Sequence, residues 1–341
     1  MVNKIYGGNK ESCGSTVYNM DDVAHCSMQS YQRWGKEHKG ITKPNIVTLS
    51  SLHPRYAKVC RNYDIELRVS EVSPHGALYF SDIESLINKN TVALVCSAPT
   101  ISTGRLEPVG RLAALAKKHQ IGLHVDSTLG FFTPFLEKAG YSGPPTDFRV
   151  EGVTSIGVCL STYGRMPPGC AVLLFRTKQL RRFQYYGYNK WVGGQFLASG
   201  LLGSRTSASS AACWAKMQMI GYNGFVQHTT NILKAARAYW GVVQEQAGVS
   251  PYEESEEAVL TTVVFKADRV DSWLLADSLE DHGWKMDRLM LSGHKAIGFT
   301  ITEVNMSSVD DFKKNLKSAL AKCTDKPKDI ECKERLLLEQ P

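Results

Sequence analysis

A chain of 341 residues, 43% hydrophobic and 21% charged, has the composition of a folded globular protein with ample core, which excludes a disordered or fibrous chain. The formal net charge of +7 is spread along the sequence apart from the Arg176 to Arg182 cluster, which reads as a solvated helix start, so no nucleic-acid partner is expected. No run of about 18 apolar residues occurs, and Met1 to Gly8 lacks the apolar stretch of a signal peptide; no membrane segment is expected in this chain, and a cytoplasmic location is. The nine cysteines show no C-x-x-C spacing, and Cys96, Cys170 and Cys213 sit in apolar or small-residue runs. They read as buried, reduced thiols, with neither a disulfide framework nor a zinc site.

In chain order, Gly7 to Lys43 holds Cys13-Gly14-Ser15-Thr16 and then a helix with Met20, Val23, Ala24 and Met28 on one side, capped by Asn19 or Asp21. Strands follow at Ile46–Leu49, Glu66–Val72, Val92–Cys96 and Leu123–Ser127, separated by helices at Arg55–Tyr63, Phe80–Lys89 and Pro108–His119. That alternation is the signature of parallel strands with crossover helices, so the large domain is expected to be a three-layer α/β sandwich with a mainly parallel sheet. Side chains two apart on a strand share a face, so His124 and Asp126 point the same way, and a carboxylate at a strand end that opens on a ligand crevice wants a cationic partner.

Ser155 to Gly169 reads as a second strand breaking into an irregular turn. Cys170–Phe175 is a further strand and Gln179–Tyr186 a helix, and a long helix from Ser209 to Gln246 breaks at Gly221–Gly224. From Val249 the pattern becomes strand Val259–Lys266, helix Ser272–His282, strand Ala296–Thr300 and helix Ser308–Lys322, a small α+β domain. The expected organisation is a large domain over residues 1–248, a small domain over 249–323 and a charged tail over 324–341.

His124-Val125-Asp126, then Phe148-Arg149-Val150-Glu151-Gly152-Val153-Thr154-Ser155-Ile156 and the Tyr163-Gly164-x-x-Pro167-x-Gly169 turn, resemble the sphingosine-1-phosphate lyases. These lie within the group II decarboxylases that use pyridoxal phosphate on a fold-type I scaffold. Trp191-Val192-Gly193-Gly194 and Gly203-Ser204-Arg205 resemble two further signatures of those lyases. The resemblance implies pyridoxal 5'-phosphate as cofactor, with Asp126 pairing the pyridinium nitrogen, His53 stacking on the ring, Gly14, Ser15 and Ser161 among the cofactor contacts, and Arg205 binding a phosphate or carboxylate.

For His53 and Arg205 a purely structural role stays open: local packing beside Pro54 for the first, a salt bridge for the second. The family's turn carries Asp-x-His-Lys-Tyr-Gly, whose lysine holds the cofactor as a Schiff base. Here Cys159-Leu160-Ser161-Thr162-Tyr163-Gly164 puts Cys159 at the Asp position, Ser161 at the His position and Thr162 at the lysine position. The family's Ser-Gly-Gly-Thr-Glu-Ser loop, whose helix amides grip the cofactor phosphate, reads Tyr18-Asn19-Met20-Asp21-Asp22-Val23, and no phosphate is expected to bind there.

Three readings follow. The first is a catalytically silent lyase homologue with a binding or regulatory role, pairing with itself or with an active paralogue, to which the family adds an association with the endoplasmic reticulum surface. In this reading no catalytic residue is assigned and covalent cofactor binding is not expected. The second is an active pyridoxal-phosphate-dependent carbon–carbon lyase or decarboxylase that recruits another lysine. The third is a different chemistry in the remodelled crevice, through Cys159 or a metal at His124 and Asp126. Cys159 has no sequence-visible base and two ligands are too few for a metal, so no metal site is expected.

Overall fold

A computed structural model of the protein describes residues 1–72, 78–203, 206–255 and 258–324. Arg205 therefore lies outside the described residues. The described residues divide into two compact units: Met1–Val72 with those of 78–101 and 106–229 form the first, and those of 102–105 and from Thr230 onward belong to the second.

In the first unit a short α1 (Val2–Ile5) leads to β1 (Cys13–Val17), α2 (Met20–Lys39), β2 (Asn45–Leu49), α3 (Arg55–Asn62) and β3 (Glu66–Ser70). Then come α4 (Phe80–Ser85), β4 (Thr91–Ser97), α5 (Val109–Lys118), β5 (Gly122–Ser127), β6 (Ser155–Cys159) and β7 (Ala171–Phe175). The sheet runs β1-β7-β6-β5-β4-β2-β3, and β7 alone runs against the other six strands, so the mainly parallel sheet expected from the alternation is present.

Every residue of β2, β4 and β5 is buried, as in a parallel sheet covered on both faces. Helix α2 covers one face. Asn19, in extended conformation, caps it by accepting the Asp22 N–H at 2.9 Å, and Gly40 ends it in the left-handed region at φ 65°. Glycines in the sheet let α2 approach: a Cβ on Gly122 would lie 2.2 Å from the Tyr31 ring, and one on Gly157 2.3 Å from Val23 Cγ1. On the opposite face Ser127 Oγ meets the Tyr6 hydroxyl at 3.2 Å, and α5 packs against β4 and β5. Met28, Tyr31, Tyr56 and Ile46 are among the fully buried side chains here, each contributing roughly 1.5–3 kcal/mol.

The helix expected over Gln179–Tyr186 is only α6 (Lys178–Arg181), capped by Thr177 and followed by a 3-10 turn to Gln184. The chain then makes a hairpin of β8 (Tyr186–Trp191) and β9 (Gly194–Ala198) that the sequence reading did not anticipate. Aromatic residues favour strands and Val192-Gly193 supplies the turn, which outweighs a weak helical pattern. The long helix α7 (Ala208–Glu245) breaks where expected, at Gly221, whose φ 65° and ψ 172° are not helical.

In the second unit β10 (Val249–Pro251), β11 (Thr262–Ala267), α8 (Ser272–Glu280), β12 (Asp287–Leu291), β13 (His294–Thr300) and α9 (Val309–Thr324) form an antiparallel sheet in the order β10-β11-β13-β12 with two helices. Its core is aromatic: Phe312 lies 5.0 Å from both Trp284 and Phe299 between ring centroids, and Tyr239 5.2 Å from Phe299. Among the described residues no helix is long and apolar enough to cross a membrane. The eight described cysteines form no disulfide, and Cys96, Cys170 and Cys213 are buried as expected.

Candidate functional site

The parallel strands β2, β4 and β5 end side by side, and the residues at those ends form one polar cluster in the first unit. Asp126, near the end of β5, is 2% exposed. Its Oδ1 accepts from Thr128 twice, from the backbone N–H at 2.9 Å and from the hydroxyl, while its Oδ2 is buried without a hydrogen-bond partner. An unpartnered buried carboxylate oxygen carries a desolvation cost, so this atom asks for a donor or a cation.

Arg55, at the start of α3, supplies the nearest positive charge but directs it elsewhere. Its Nη1 donates to the Thr128 hydroxyl at 3.1 Å, and its backbone N–H and Nε both donate to His53 Nδ1 at 3.1 Å. Its charge partner is Asp21, in the first turn of α2, at 3.5 Å. Because His53 accepts on Nδ1, its proton is on Nε2 and the ring is neutral. Burial and then the Arg55 charge both hold its pKa below the usual value, in agreement with that tautomer.

His124 shares the face of Asp126 and is fully buried. Its Nε2 meets the Tyr56 hydroxyl at 2.9 Å and its Nδ1 the Ser155 hydroxyl at 2.7 Å, and Ser155 is held in turn by the Tyr31 hydroxyl at 2.6 Å. Burial pushes the imidazole pKa down to about 3, so His124 is a neutral link in a buried polar chain. Burial, with the Asp126 carboxylate beside it, pushes the Tyr56 hydroxyl well above its ordinary value.

Glu107 is a residue that the sequence reading missed. It is 7% exposed, its Oε2 accepts the Ser97 N–H at 2.6 Å and its Oε1 accepts from the Ser51 hydroxyl. Burial pushes its pKa up to about 7, with Asp126 adding to the rise and the two hydrogen bonds opposing it. A lone Glu in a Gly-Arg-Leu-Glu-Pro loop gives no sequence signal of this; only the fold of the loop over β4 does.

The turn after β6 holds the other expected residues. Cys159 Sγ and Ser161 Oγ are 3.2 Å apart, Thr162 is exposed, and Tyr163 is buried edge-on against Phe132 at 5.1 Å. Gly164 has no space for a side chain, since a Cβ there would lie 2.2 Å from the Leu160 carbonyl oxygen.

Gly14 and Ser15 stand apart from this cluster, on edge strand β1. Ser15 shares a register row with Leu173, Gly157 and Asp126, three strand spacings or roughly 14 Å away. Its hydroxyl donates to Gln184 Oε1 at 3.1 Å and accepts from Arg181 at 3.2 Å. The cluster thus brings together Asp126, His53 and, unforeseen, Arg55, Tyr56 and Glu107. Among the described residues no group of three or more His, Cys, Asp or Glu is placed to hold a metal ion.

Known proteins share this arrangement of strands. Residues 14–268 match the pyridoxal-dependent decarboxylase conserved domain. The chain is 31% identical to the sphingosine-1-phosphate lyase of Drosophila melanogaster over 331 residues, 96% of this chain and 60% of that protein. It is also 31% identical to that of Saccharomyces cerevisiae over 316 residues, 92% of this chain and 53% of that protein. The chain therefore spans only 53–60% of the length of these two relatives.

Among solved structures, a sphingosine-1-phosphate lyase of Burkholderia pseudomallei superposes with a TM-score of 0.89 at 26% identity, over 95% of this chain and 75% of that one. A glutamate decarboxylase of Lactobacillus brevis gives 0.83 at 18% identity, over 96% and 79%, which is a likeness of fold. With three quarters of its length in the matched domain and sphingosine-1-phosphate lyases among its relatives, the chain belongs to the pyridoxal-dependent decarboxylase family.

Proposed function

We propose that this protein is a catalytically silent relative of the sphingosine-1-phosphate lyases, with a binding or regulatory role carried by the Asp126 crevice. The observation that supports this most is the side chain on the turn after β6: exposed Thr162 stands where the sequence resemblance puts the lysine. Pyridoxal phosphate supplies an electron sink when bound, but a lysine amine must hold it, yield it to the substrate amine and carry protons. A threonine hydroxyl forms no such bond and is a poor proton carrier near neutral pH.

The residues present suit one part of the cofactor and not the rest. Asp126 Oδ2, buried and unpartnered, suits a protonated ring nitrogen. The first turn of α2 does not suit a phosphate: Asn19 takes the Asp22 N–H, Asp22 takes the Tyr18 N–H at 3.0 Å, and Asp21 and Asp22 add two carboxylates. No catalytic step is therefore derived through the cofactor.

The role includes pairing, with a second copy or an active paralogue. The β8–β9 hairpin supports this, because Tyr186, Tyr188, Trp191, Phe196 and Leu197 are 46–69% exposed on two adjacent strands. Incubation with pyridoxal 5'-phosphate, reduction with borohydride and peptide mapping test the reading. No lysine modified in stoichiometric yield is expected, and a stoichiometric adduct on one lysine contradicts silence and supports an active lyase.

A further inference from the structure

We propose that Cys170 and Cys213 are a redox-active thiol pair, oxidised by a peroxide to a disulfide that ties the start of β7 to α7. This goes beyond the silent reading above and does not rest on it. Cys170 directly precedes β7 and follows Gly169, whose φ of 87° turns the chain. A Cβ on Gly169 would lie 3.8 Å from Ser209 Oγ, so this turn packs on the first turn of α7, and Cys213 stands one helical turn on from Ser209. The two thiols meet there: Cys213 is hydrogen-bonded to the Cys170 thiol, and the two residues are 2% and 5% exposed.

Two thiols make a poor hydrogen-bonded pair, since S–H is a weak donor and sulfur a weak acceptor. Other described cysteines have different partners: Cys159 meets the Ser161 hydroxyl, and Cys323 donates to the Leu274 carbonyl at 3.7 Å. Cys170 also has access to a reagent. It lines a pocket of about 450 Å³ with Thr16, Ser199, Ser209 and Ser210, ample for a peroxide when liquid water takes about 30 Å³ per molecule. A metal does not explain the pair, because among the described residues no group of three or more His, Cys, Asp or Glu is placed to hold one.

Burial, and then the neighbouring Cys170 sulfur, push the Cys213 pKa up to about 12, so Cys213 keeps its proton and offers it to Cys170. Cys170, on the pocket wall, is therefore the attacking sulfur. As a thiolate it attacks one oxygen of hydrogen peroxide, the O–O bond breaks, and hydroxide leaves to become water with the proton given up by Cys170. The product is a sulfenic acid on Cys170. Its charge is then gone, which removes one of the causes that hold the proton on Cys213. The Cys213 sulfur next attacks the Cys170 sulfur, the S–O bond breaks, and hydroxide leaves with the Cys213 proton as a second water. Two thiols and one peroxide thus give one disulfide and two waters, with sulfur oxidised and peroxide oxygen reduced. The new bond closes a loop that carries β7, α6 and the β8–β9 hairpin, and it fastens the start of α7 to the sheet.

The test exposes the full chain, reduced and then freed of reductant, to a small excess of hydrogen peroxide under native conditions. Remaining thiols are alkylated and the peptides mapped without reduction. A linked Cys170–Cys213 peptide is expected as the main product, lost again on treatment with dithiothreitol. Cys213→Ser blocks the second step, so dimedone should label Cys170 severalfold more than in the unaltered chain. Cys170→Ser should leave Cys213 a free thiol. Linkage of either residue to a different cysteine, recovery of both as alkylated thiols, or a link that forms only in urea overturns the proposal. So does a Cys213→Ser chain that dimedone does not label at Cys170. If Cys213→Ser does not fold by circular dichroism, the peptide map of the unaltered chain, with and without dithiothreitol, still decides.

Discussion

Asn19 and Asp22 close the start of α2 between them: Asn19 Oδ1 accepts the Asp22 N–H at 2.9 Å, and Asp22 Oδ2 reaches back to the Tyr18 N–H at 3.0 Å. The first bond satisfies one of the helix's otherwise orphaned N–H donors, and the second fastens the residue before the cap to the first turn. Asn19→Ala should lower stability by about 1 kcal/mol and Asn19→Gly by a few tenths. Urea unfolding of the two variants checks this, and equal stability of Asn19→Ala and the parent would show that the cap does nothing.

Glu107 makes stability depend on pH in a stated direction. Its carboxyl titrates at about 7 in the folded protein against 4.5 in the unfolded chain, so the folded state binds its proton more tightly. The contribution is fully present below pH 4.5 and is lost as pH rises through 7, a change of roughly 3 kcal/mol at most. Glu107→Gln keeps an acceptor for Ser97 and should remove this slope. The stability difference between the two proteins, measured at intervals between pH 4.5 and 7, should therefore move in favour of the variant as pH rises; a constant difference would contradict it.

The exposed hairpin face carries a prediction about assembly. Trp191→Asp and Phe196→Asp place charge on a surface that is 55% and 48% exposed in the single chain, so neither should disturb the fold. Both should shift the protein from pairs to single chains, weakening self-association by about tenfold or more if these aromatics anchor the contact. Light scattering across a concentration series reads the outcome, and unchanged mass for both variants would remove the hairpin from the pairing surface.

Thr162→Lys tests the position itself. An amine restored at an exposed site on this turn should yield a borohydride-trapped pyridoxyl adduct at residue 162, with no adduct elsewhere. Failure to trap at 162 while another lysine is modified would show that a different residue faces the ring.

The fold was legible where burial writes an apolar run. Strands β2, β4 and β5 are buried along their whole length, and α2 carries Met20, Val23, Ala24, Met28 and Tyr31 at helical spacing. Strand β1 was not legible, because Cys-Gly-Ser-Thr-Val at a sheet edge shows neither an apolar run nor clean alternation. The β8–β9 hairpin escaped notice for the opposite reason: its aromatics are exposed on both strands, which leaves no core-facing period to read. In the site, the place of Asp126 at a strand end could be read from the sequence. The role of Arg55 could not, since it depends on Thr128, which is 73 positions away in the chain.

The most direct measurement is the fate of lysine amines when the unaltered protein meets pyridoxal 5'-phosphate. Borohydride reduction followed by peptide mapping should return no lysine peptide modified in stoichiometric yield, because exposed Thr162 stands on the turn where the family's lysine is expected. One lysine converted to its pyridoxyl derivative in stoichiometric yield would contradict the account.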